Sequence, residues 1–265
     1  MELIDVGVNL AHDSFDRDRD EVLARARAAG VGTMVVTGSC RESSHRARQL
    51  AHEHTDMLYA TAGVHPHHAK DFDSVDRTWI RELAADPVVA AVGECGLDFF
   101  RNFSPPADQE HAFHQQLALA SELQMPVFLH QRDAHERFCA ILREHIADIP
   151  RGVAHCFTGD RRELEDYLRL GLSIGITGWI CDERRGGHLK SLISHIPPDR
   201  LLLETDAPYL LPRDLDPKPR TRRNEPCHLA HILAIVAAAA NRDADVLAAE
   251  SSANARLFFG LPEPG

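Results

Sequence analysis

The sequence of 265 residues predicts an α/β fold, a TIM-type (β/α)8 barrel. Short apolar runs alternate with charged segments of helical periodicity along the whole chain, which is typical of parallel strands joined by helices. The length matches the usual size of one such barrel, and no linker or fixed-period repeat divides it. We therefore expect a single domain over residues 1–265. A doubly wound open sheet is the alternative arrangement of the same elements.

Eight apolar runs are the candidate strands, and each is followed by a segment with helical periodicity. In chain order they are Leu3–Leu10, Thr33–Ser39, Leu58–His65, Val88–Leu97, Pro126–Gln131, Gly152–Phe157, Ser173–Gly178 and Leu201–Asp206. A proline that opens a strand, as in the fifth run, is tolerated because the first N–H need not join the ladder. The pattern therefore fits one parallel sheet.

Helices are predicted between these runs. The clearest are Asp18–Ala29, Arg41–His54, Asp108–Leu123, Glu136–Ile146, Arg161–Leu170, His228–Ala239 and Asp243–Phe258. Gly30 and Gly171 directly follow two of them, as expected for glycine just past a helix C-terminus.

Composition restricts the partners and the compartment. The net charge of −11 argues against a broad electrostatic grip on duplex DNA, because basic surface supplies most non-specific affinity. The six cysteines include no CxxC pair, which favours reduced thiols and a cytoplasmic location. The N-terminus has no basic n-region, and no run approaches the roughly 18 apolar residues of a membrane helix. We therefore expect no membrane contact, and we expect a monomer.

Four potential metal ligands end four of the apolar runs: Glu94, His130, His155 and Asp206. The carboxyl ends of parallel barrel strands share one mouth, so these side chains are predicted to converge. A His pair with carboxylates suits Zn²⁺, Mn²⁺ or Fe²⁺, and Mg²⁺ less naturally. Glu94 could bridge two ions, and Asp206 could ligate one and take a proton from an attacking water. Taken singly, each could instead be a salt-bridged or hydrogen-bonded structural residue.

His65 ends the third run and is predicted to face the same mouth, whereas His67 and His68 are expected to lie on the surface. A basic loop follows the eighth run and contains Lys218, Arg220, Arg222 and Arg223. Loops at that end of a barrel commonly bind phosphate, although a solvated charge run is the alternative. Further arginines follow strand ends and add to this rim: Arg101, Arg132, Arg184 and Arg185.

Several motifs occur together in one order along the chain: GVHPHH, GECGLDF, LHQRDA, HCFTG, ETDAPYL and RRNEP. In this set the chain resembles the TatD family of metal-dependent deoxyribonucleases from end to end. The segments DVGVNL and LLPRDLDPKPRTRRNEP are most similar to its bacterial members. The resemblance implies a metal-dependent hydrolase barrel with Mg²⁺-dependent 3′→5′ exonuclease activity on single-stranded DNA and RNA. Mn²⁺ and Zn²⁺ are the alternative ions.

The resemblance also implies roles for individual residues. By motif, Glu94, His130 and His155 correspond to metal ligands, and Asp206 to the ligand and proton acceptor of the last strand. His65 corresponds to a residue on the substrate side. With it we expect Arg101, Arg222 and Arg223 to contact the substrate.

The first strand departs from the family pattern. Most members open with Asp-x-His-x-His, whereas this chain has Asp5-Val6-Gly7-Val8-Asn9. An amide oxygen is a weaker ligand than imidazole for many divalent ions. We therefore predict one firm metal site and one weak site, with Asn9 as an uncertain ligand of the weak one.

Two other functions fit the same motifs. One is a metal-dependent ester or amide hydrolase, such as a D-aminoacyl-tRNA deacylase. The other is a non-catalytic metal-binding protein that lost activity with its two N-terminal histidines. Retention of Asp206 argues against the latter, because a purely structural site does not need a proton acceptor.

Overall fold

A computed structural model of the chain describes residues 2–263, so three residues of the predicted domain (1, 264 and 265) lie outside the described residues. The strands form one eight-stranded sheet in the order β1 to β8. Their bounds are β1 Leu3–Val8, β2 Val31–Val36, β3 Leu58–Ala62, β4 Val89–Asp98, β5 Val127–Arg132, β6 Gly152–Ala154, β7 Ser173–Ile176 and β8 Leu201–Leu203. Sequential order with helical crossovers makes this a TIM-type barrel, as predicted. The alternative open sheet was wrong.

Nine α-helices are found among the described residues. They are α1 Arg19–Ala28, α2 Arg41–Glu53, α3 Ser74–Ala84, α4 Pro106–Leu123, α5 His135–His145, α6 Arg161–Arg169, α7 Gly187–Leu192, α8 Leu229–Ala240 and α9 Ala244–Phe259. The seven helices predicted from sequence are all present. The other two are α3, which begins after an Asp73 side chain that accepts from two backbone amides, and the six-residue α7.

Several predicted strands extend beyond the observed ones at their carboxyl ends. His65, His155 and Asp206 follow the last residue of β3, β6 and β8 by one to three positions. The backbone leaves the extended conformation there: Cys156 and Asp206 have φ values of 48° and 55°, in the left-handed region that a strand cannot continue through. These polar side chains therefore lie at strand exits, and only Glu94 and His130 lie within strands.

Spatial contacts divide the chain into two compact units. The first comprises the segment up to Val35, Cys156–Leu164 and the segment from Ile174 onward, and the second comprises Val36–His155 and Glu165–Ser173. In the second unit, the rings of Phe113 and Phe138 are fully buried and stack with centroids 5.3 Å apart. Truncating either ring to alanine typically costs about 3–5 kcal/mol. The prediction of one domain over residues 1–265 stays a prediction.

The state of the cysteines and the apolar character of the helices were both addressed by the composition. All six cysteines are free; three are buried and three are half-buried. Among residues 2–263, no helix is long and apolar enough to cross a membrane.

Asp5 is a buried carboxylate in the middle of β1, within the first unit. Its Oδ1 accepts hydrogen bonds from the backbone N–H groups of Thr205 (2.9 Å) and Gly7 (3.3 Å), and its Oδ2 accepts from the Thr205 hydroxyl (2.5 Å). Burial raises the pKa of Asp5 to about 7, because the loss of hydration outweighs these hydrogen bonds and nearby Glu204 adds repulsion.

We predict that Asp5 lowers the free energy of unfolding as the pH rises from about 4 to 7. The folded pKa lies above the unfolded one, so the stabilising effect of this group is complete below about 3.8 and is lost as the pH approaches 7. The pKa difference corresponds to about 4 kcal/mol. Asp5→Asn should remove most of this slope in urea unfolding with chelator at pH 4.5 and 7.5. Equal pH dependence of the two proteins would contradict the prediction.

Candidate metal centre and active site

Three histidines surround a single carboxylate oxygen of Glu94 in the second unit. From Glu94 Oε1, His130 Nδ1 lies at 2.9 Å, His65 Nε2 at 3.4 Å and His155 Nε2 at 3.9 Å. Glu94, His65 and His155 are buried, and His130 is nearly so. We call these four residues the Glu94 cluster. The structure thus brings together four of the residues that the sequence predicted for the site.

Glycines on either side of Glu94 let β4 run close to β5. Gly93 and Gly96 have φ values of 130° and 147°, which side-chain-bearing residues rarely adopt. A Cβ at Gly93 would lie 2.3 Å from the Phe128 carbonyl oxygen, and one at Gly96 would lie 1.9 Å from the His130 carbonyl oxygen. The β4–β5 register shifts around Glu94. The two glycines of the GECG sequence therefore permit the irregular backbone that carries Glu94 beside β5.

Two buried glutamines of α4 hold the backbone near the cluster. Gln116 accepts from the Val64 N–H (2.7 Å) and donates to its carbonyl (3.0 Å), which fixes the residue before His65. Gln109 does the same for Asp98, at 2.8 Å and 3.1 Å. The two glutamines are seven residues apart, about two helical turns, so they project from one face of α4. This role of the two glutamines was not predicted from the sequence.

Asp98 is a second buried carboxylate beside the cluster, and it was not predicted from the sequence. Its Oδ2 lies 2.7 Å from His67 Nε2 and 3.7 Å from His130 Nε2. Its Oδ1 accepts from the backbone N–H of Arg101 at 2.8 Å. The strand predicted from the sequence ended at Leu97, one residue short of Asp98, so strand alternation from Glu94 was not extended to it. His67, which was expected on the surface, is half-buried and paired with Asp98, whereas His68 is exposed as expected.

The electrostatics of the cluster favour an anionic Glu94. Burial alone would raise the pKa of Glu94, but attraction to His65, His155 and His130 outweighs it and holds the pKa well below its ordinary value. Burial lowers the pKa of His65 well below its usual range, despite the nearby Glu94 carboxylate. The pKa of His130 is raised, because attraction to the Asp98 and Glu94 carboxylates outweighs burial. A charged carboxylate thus stands among imidazoles of differing basicity.

The residues of the cluster fit a divalent cation. Among buried side-chain nitrogens and oxygens of the described residues, His130 Nε2 is the one without a hydrogen-bond partner. A buried polar atom without a partner costs about 1–3 kcal/mol, so this nitrogen is suited to a ligand. Potential donor atoms of His65, Glu94 and His130 all lie within 4.8 Å of one another, and His155 Nε2 lies 3.9 Å from Glu94 Oε1. One carboxylate oxygen with imidazole nitrogens is a donor set typical of Zn²⁺, Mn²⁺ or Fe²⁺.

Asp206 and Asn9 lie together in the first unit. Asp206 follows β8, and its backbone N–H donates to the Gly7 carbonyl at 2.8 Å. The Asn9 side chain donates from Nδ2 to Asp206 Oδ1 at 2.9 Å. Asn9 therefore orients the Asp206 carboxylate. Its predicted part as a weak metal ligand stays a prediction, as does the part of Asp206.

The predicted substrate-binding arginines differ in their surroundings. In the first unit, the Arg223 guanidinium donates to both oxygens of Asp18 at 2.6 and 2.7 Å and to Glu225 at 2.8 Å. These carboxylates neutralise its charge, so its geometry favours a structural role. Arg222 is exposed, and so is Arg101 in the second unit, beside Asp98. Phosphate contact by any of the three stays a prediction.

A TIM-type barrel with histidines and carboxylates at the carboxyl ends of its strands is typical of metal-dependent hydrolases. The TatD related DNase model matches residues 4–260, and the chain belongs to that family. The chain is 55% identical over 259 residues to the 3′-5′ ssDNA/RNA exonuclease TatD of Erwinia amylovora, covering 98% of this chain and all of that protein. The Klebsiella pneumoniae protein of the same name is also 55% identical, over 263 residues, with 99% and 100% coverage.

Solved structures agree with this membership. A TatD homologue from Escherichia coli has a TM-score of 0.89 at 30% identity, with 98% of each chain covered. A TatD family hydrolase from Entamoeba histolytica has a TM-score of 0.88 at 25% identity, with 99% of each chain covered. The predicted family and the prediction that the chain is an enzyme are confirmed. Membership also implies a divalent metal, for which the Glu94 cluster is a candidate site.

Proposed function

We propose that this chain is a metal-dependent exonuclease that removes nucleotides from the 3′ ends of single-stranded DNA and RNA. The observation that carries the proposal is the Glu94 cluster, a buried carboxylate of β4 among three imidazoles in a TatD-family barrel. The names of the 55% identical relatives supply the polarity and the substrate. They favour a phosphodiester over the aminoacyl ester of the deacylase alternative.

In this proposal Glu94, His130 and His155 hold the firm divalent ion. That ion would polarise a non-bridging phosphate oxygen and lower the pKa of the attacking water. Asp206 takes the proton from that water, and Asn9 keeps the carboxylate in position by donating to its Oδ1. The negative charge on the phosphate is stabilised by His65 and by the rim arginines Arg101 and Arg222. Arg223 contributes less to this stabilisation.

Mg²⁺ is the proposed ion, with Mn²⁺ or Zn²⁺ as alternatives that the imidazole ligands suit well. A second, weaker ion is proposed at Glu94 and Asp206 with help from Asn9. Its weakness follows from Gly7 and Asn9, which stand where most of the family has two histidines. We further propose that the enzyme acts as a single-domain monomer in the cytoplasm. The net charge of −11 disfavours binding to duplex DNA, whose charge density is high.

End-labelled oligonucleotides and a covalently closed single-stranded circle test this function. We expect stepwise release of mononucleotides from the 3′ end of the linear strand, slow action on a blunt duplex, and no action on the circle. Each reaction is run with Mg²⁺, Mn²⁺, Zn²⁺ or chelator. Rapid cutting of the circle would indicate an endonuclease, and release from the 5′ end would reverse the polarity. Inactivity on every nucleic acid with every metal would contradict the proposed function as a whole.

A further inference from the structure

Two phenylalanines are exposed in the loop after β4, within the second unit. The exposed fractions of Phe100 and Phe103 are 55% and 62%. Phenylalanine is among the residues most often buried, so two such rings three positions apart require an explanation. Exposed aromatic rings next to cations are the usual means by which proteins bind single-stranded nucleic acid, because every base has a face that can stack.

The Phe100 ring has two cationic neighbours. The Arg132 guanidinium carbon lies 4.1 Å from the centre of the Phe100 ring, and that of Arg101 lies 5.8 Å from it. Arg132 is half-buried and Arg101 is exposed. A guanidinium over an aromatic ring is an attractive arrangement that leaves N–H groups able to donate to phosphate. In a chain of net charge −11, this pairing of aromatic and basic groups matches the bases and the backbone of a nucleic acid strand.

The loop is held in place before any ligand binds. Asp98 Oδ1 accepts from the backbone N–H groups of Phe100 (3.1 Å) and Arg101 (2.8 Å). The Phe103 ring packs edge-on against His67, with centroids 4.7 Å apart, and His67 is itself held by Asp98. Fixed rings lose little conformational freedom on binding, so stacking on them would cost little ordering entropy.

The aromatic loop adjoins the Glu94 cluster. The His67 ring packs against His65 with centroids 4.2 Å apart, and His65 Nε2 lies 3.4 Å from Glu94 Oε1. One imidazole, His67, therefore separates Phe103 from the cluster. A strand whose terminal phosphate reached Glu94 would bring its neighbouring bases to this loop.

We propose that Phe100 and Phe103 form a base-stacking subsite for the unpaired nucleotides next to the scissile bond, with Arg132 and Arg101 on the adjoining phosphates. This inference rests on the proposed function and adds the residues that select single strands. Bases within a duplex are already stacked and paired, so they offer no free face to these rings. The subsite recognises bases in general, because stacking tolerates every base.

The test is equilibrium binding to two fluorescent oligonucleotides of equal length, one intact and one abasic at its 3′-terminal nucleotides. Binding is measured by anisotropy with chelator, so that no cleavage occurs. The unmodified protein should bind the intact strand at least about fivefold more tightly. Phe100→Ala and Phe103→Ala should each weaken binding to the intact strand by at least about fivefold and leave binding to the abasic strand unchanged. Tyrosine at either position should restore binding, because it retains a stacking face.

Val75→Ala is the matched control, since this apolar side chain is 53% exposed on α3 of the same unit. It should alter neither affinity. Equal weakening on both strands by the Phe variants would assign the rings to loop structure and overturn the proposal. Equal affinity of the unmodified protein for both strands would also overturn it.

Turnover of the intact strand with added metal separates the two proposals. Nucleotide release without preferential binding of the intact strand would contradict the stacking subsite alone. Preferential binding of the intact strand without nucleotide release would contradict the exonuclease activity and leave the subsite supported. Absence of both nucleotide release and any preference for the intact strand would overturn both proposals.

Discussion

Replacing Glu94 with glutamine is expected to abolish exonuclease turnover, with a fall of more than about 100-fold at any metal concentration tested. Loss of partners that only orient a ligand typically costs 10- to 100-fold in metal affinity or activity, and Glu94 is proposed to hold the ion directly. Glutamine keeps the shape of the side chain but removes the charge that attracts His65, His130 and His155. Metal affinity should therefore fall together with turnover.

The measurements are calorimetric titration with Mg²⁺ or Mn²⁺, turnover of labelled oligonucleotide, and circular dichroism to verify the fold. Glu82→Gln is the control, because Glu82 is exposed on α3 of the same unit. It should leave both affinity and turnover unchanged. If Glu94→Gln kept full turnover at saturating metal with a native spectrum, Glu94 would have to be removed from the proposed ligands.

The barrel was predictable from sequence because its strands are buried on both faces. Such strands are continuous apolar runs in the sequence. Strands that follow one another in the chain usually pair with each other, and parallel neighbours are joined by helical crossovers. The Glu94 cluster was predictable for the same reason. Once the strands are parallel, residues at their carboxyl ends converge, as Glu94, His130 and His155 do around one oxygen.

What the sequence could not supply depends on local backbone geometry and on partners distant in the chain. Asp98 belongs to the site because β4 continues two residues beyond Gly96, where a glycine would normally signal a turn. His67 belongs to the site because its ring reaches the Asp98 carboxylate from another loop. Arg223 reads in sequence as part of a cationic run, yet Asp18, about two hundred positions away, neutralises it. Apolar patterning predicts which residues are inside, and it gives no information on such polar pairings.

The aromatic loop illustrates a further limit. Phenylalanine is usually buried, and no role was predicted from the sequence for Phe100 or Phe103. Only the structure reveals that both rings are exposed and that two arginines lie beside the Phe100 ring. The exposure of an apolar residue near a charged cluster therefore indicates a function that its position in the sequence does not reveal.

Replacing Asp206 with asparagine is expected to lower kcat by roughly 100- to 10,000-fold while KM changes little. A positioned proton acceptor contributes about this much, and it acts in the transition state more than in substrate binding. Asparagine retains an oxygen that can accept from Asn9 Nδ2, the contact that now measures 2.9 Å. The side chain should keep its place, and only its ability to take a proton is lost.

Steady-state kinetics on single-stranded oligonucleotide, with metal titration by calorimetry, distinguish this role from metal binding. The firm ion at Glu94, His130 and His155 should bind Asp206→Asn with unchanged affinity, whereas the weaker ion should bind less tightly. Asp216→Asn is the control, because Asp216 is an exposed carboxylate in the same long loop. A raised KM with normal kcat would assign Asp206 to substrate binding, and unchanged kinetics would remove it from the mechanism. Asparagine has the same number of heavy atoms as aspartate, with one carboxylate oxygen replaced by an uncharged amide nitrogen. Loss of kcat in a folded, metal-loaded variant therefore separates the proton acceptor from the scaffold that holds it.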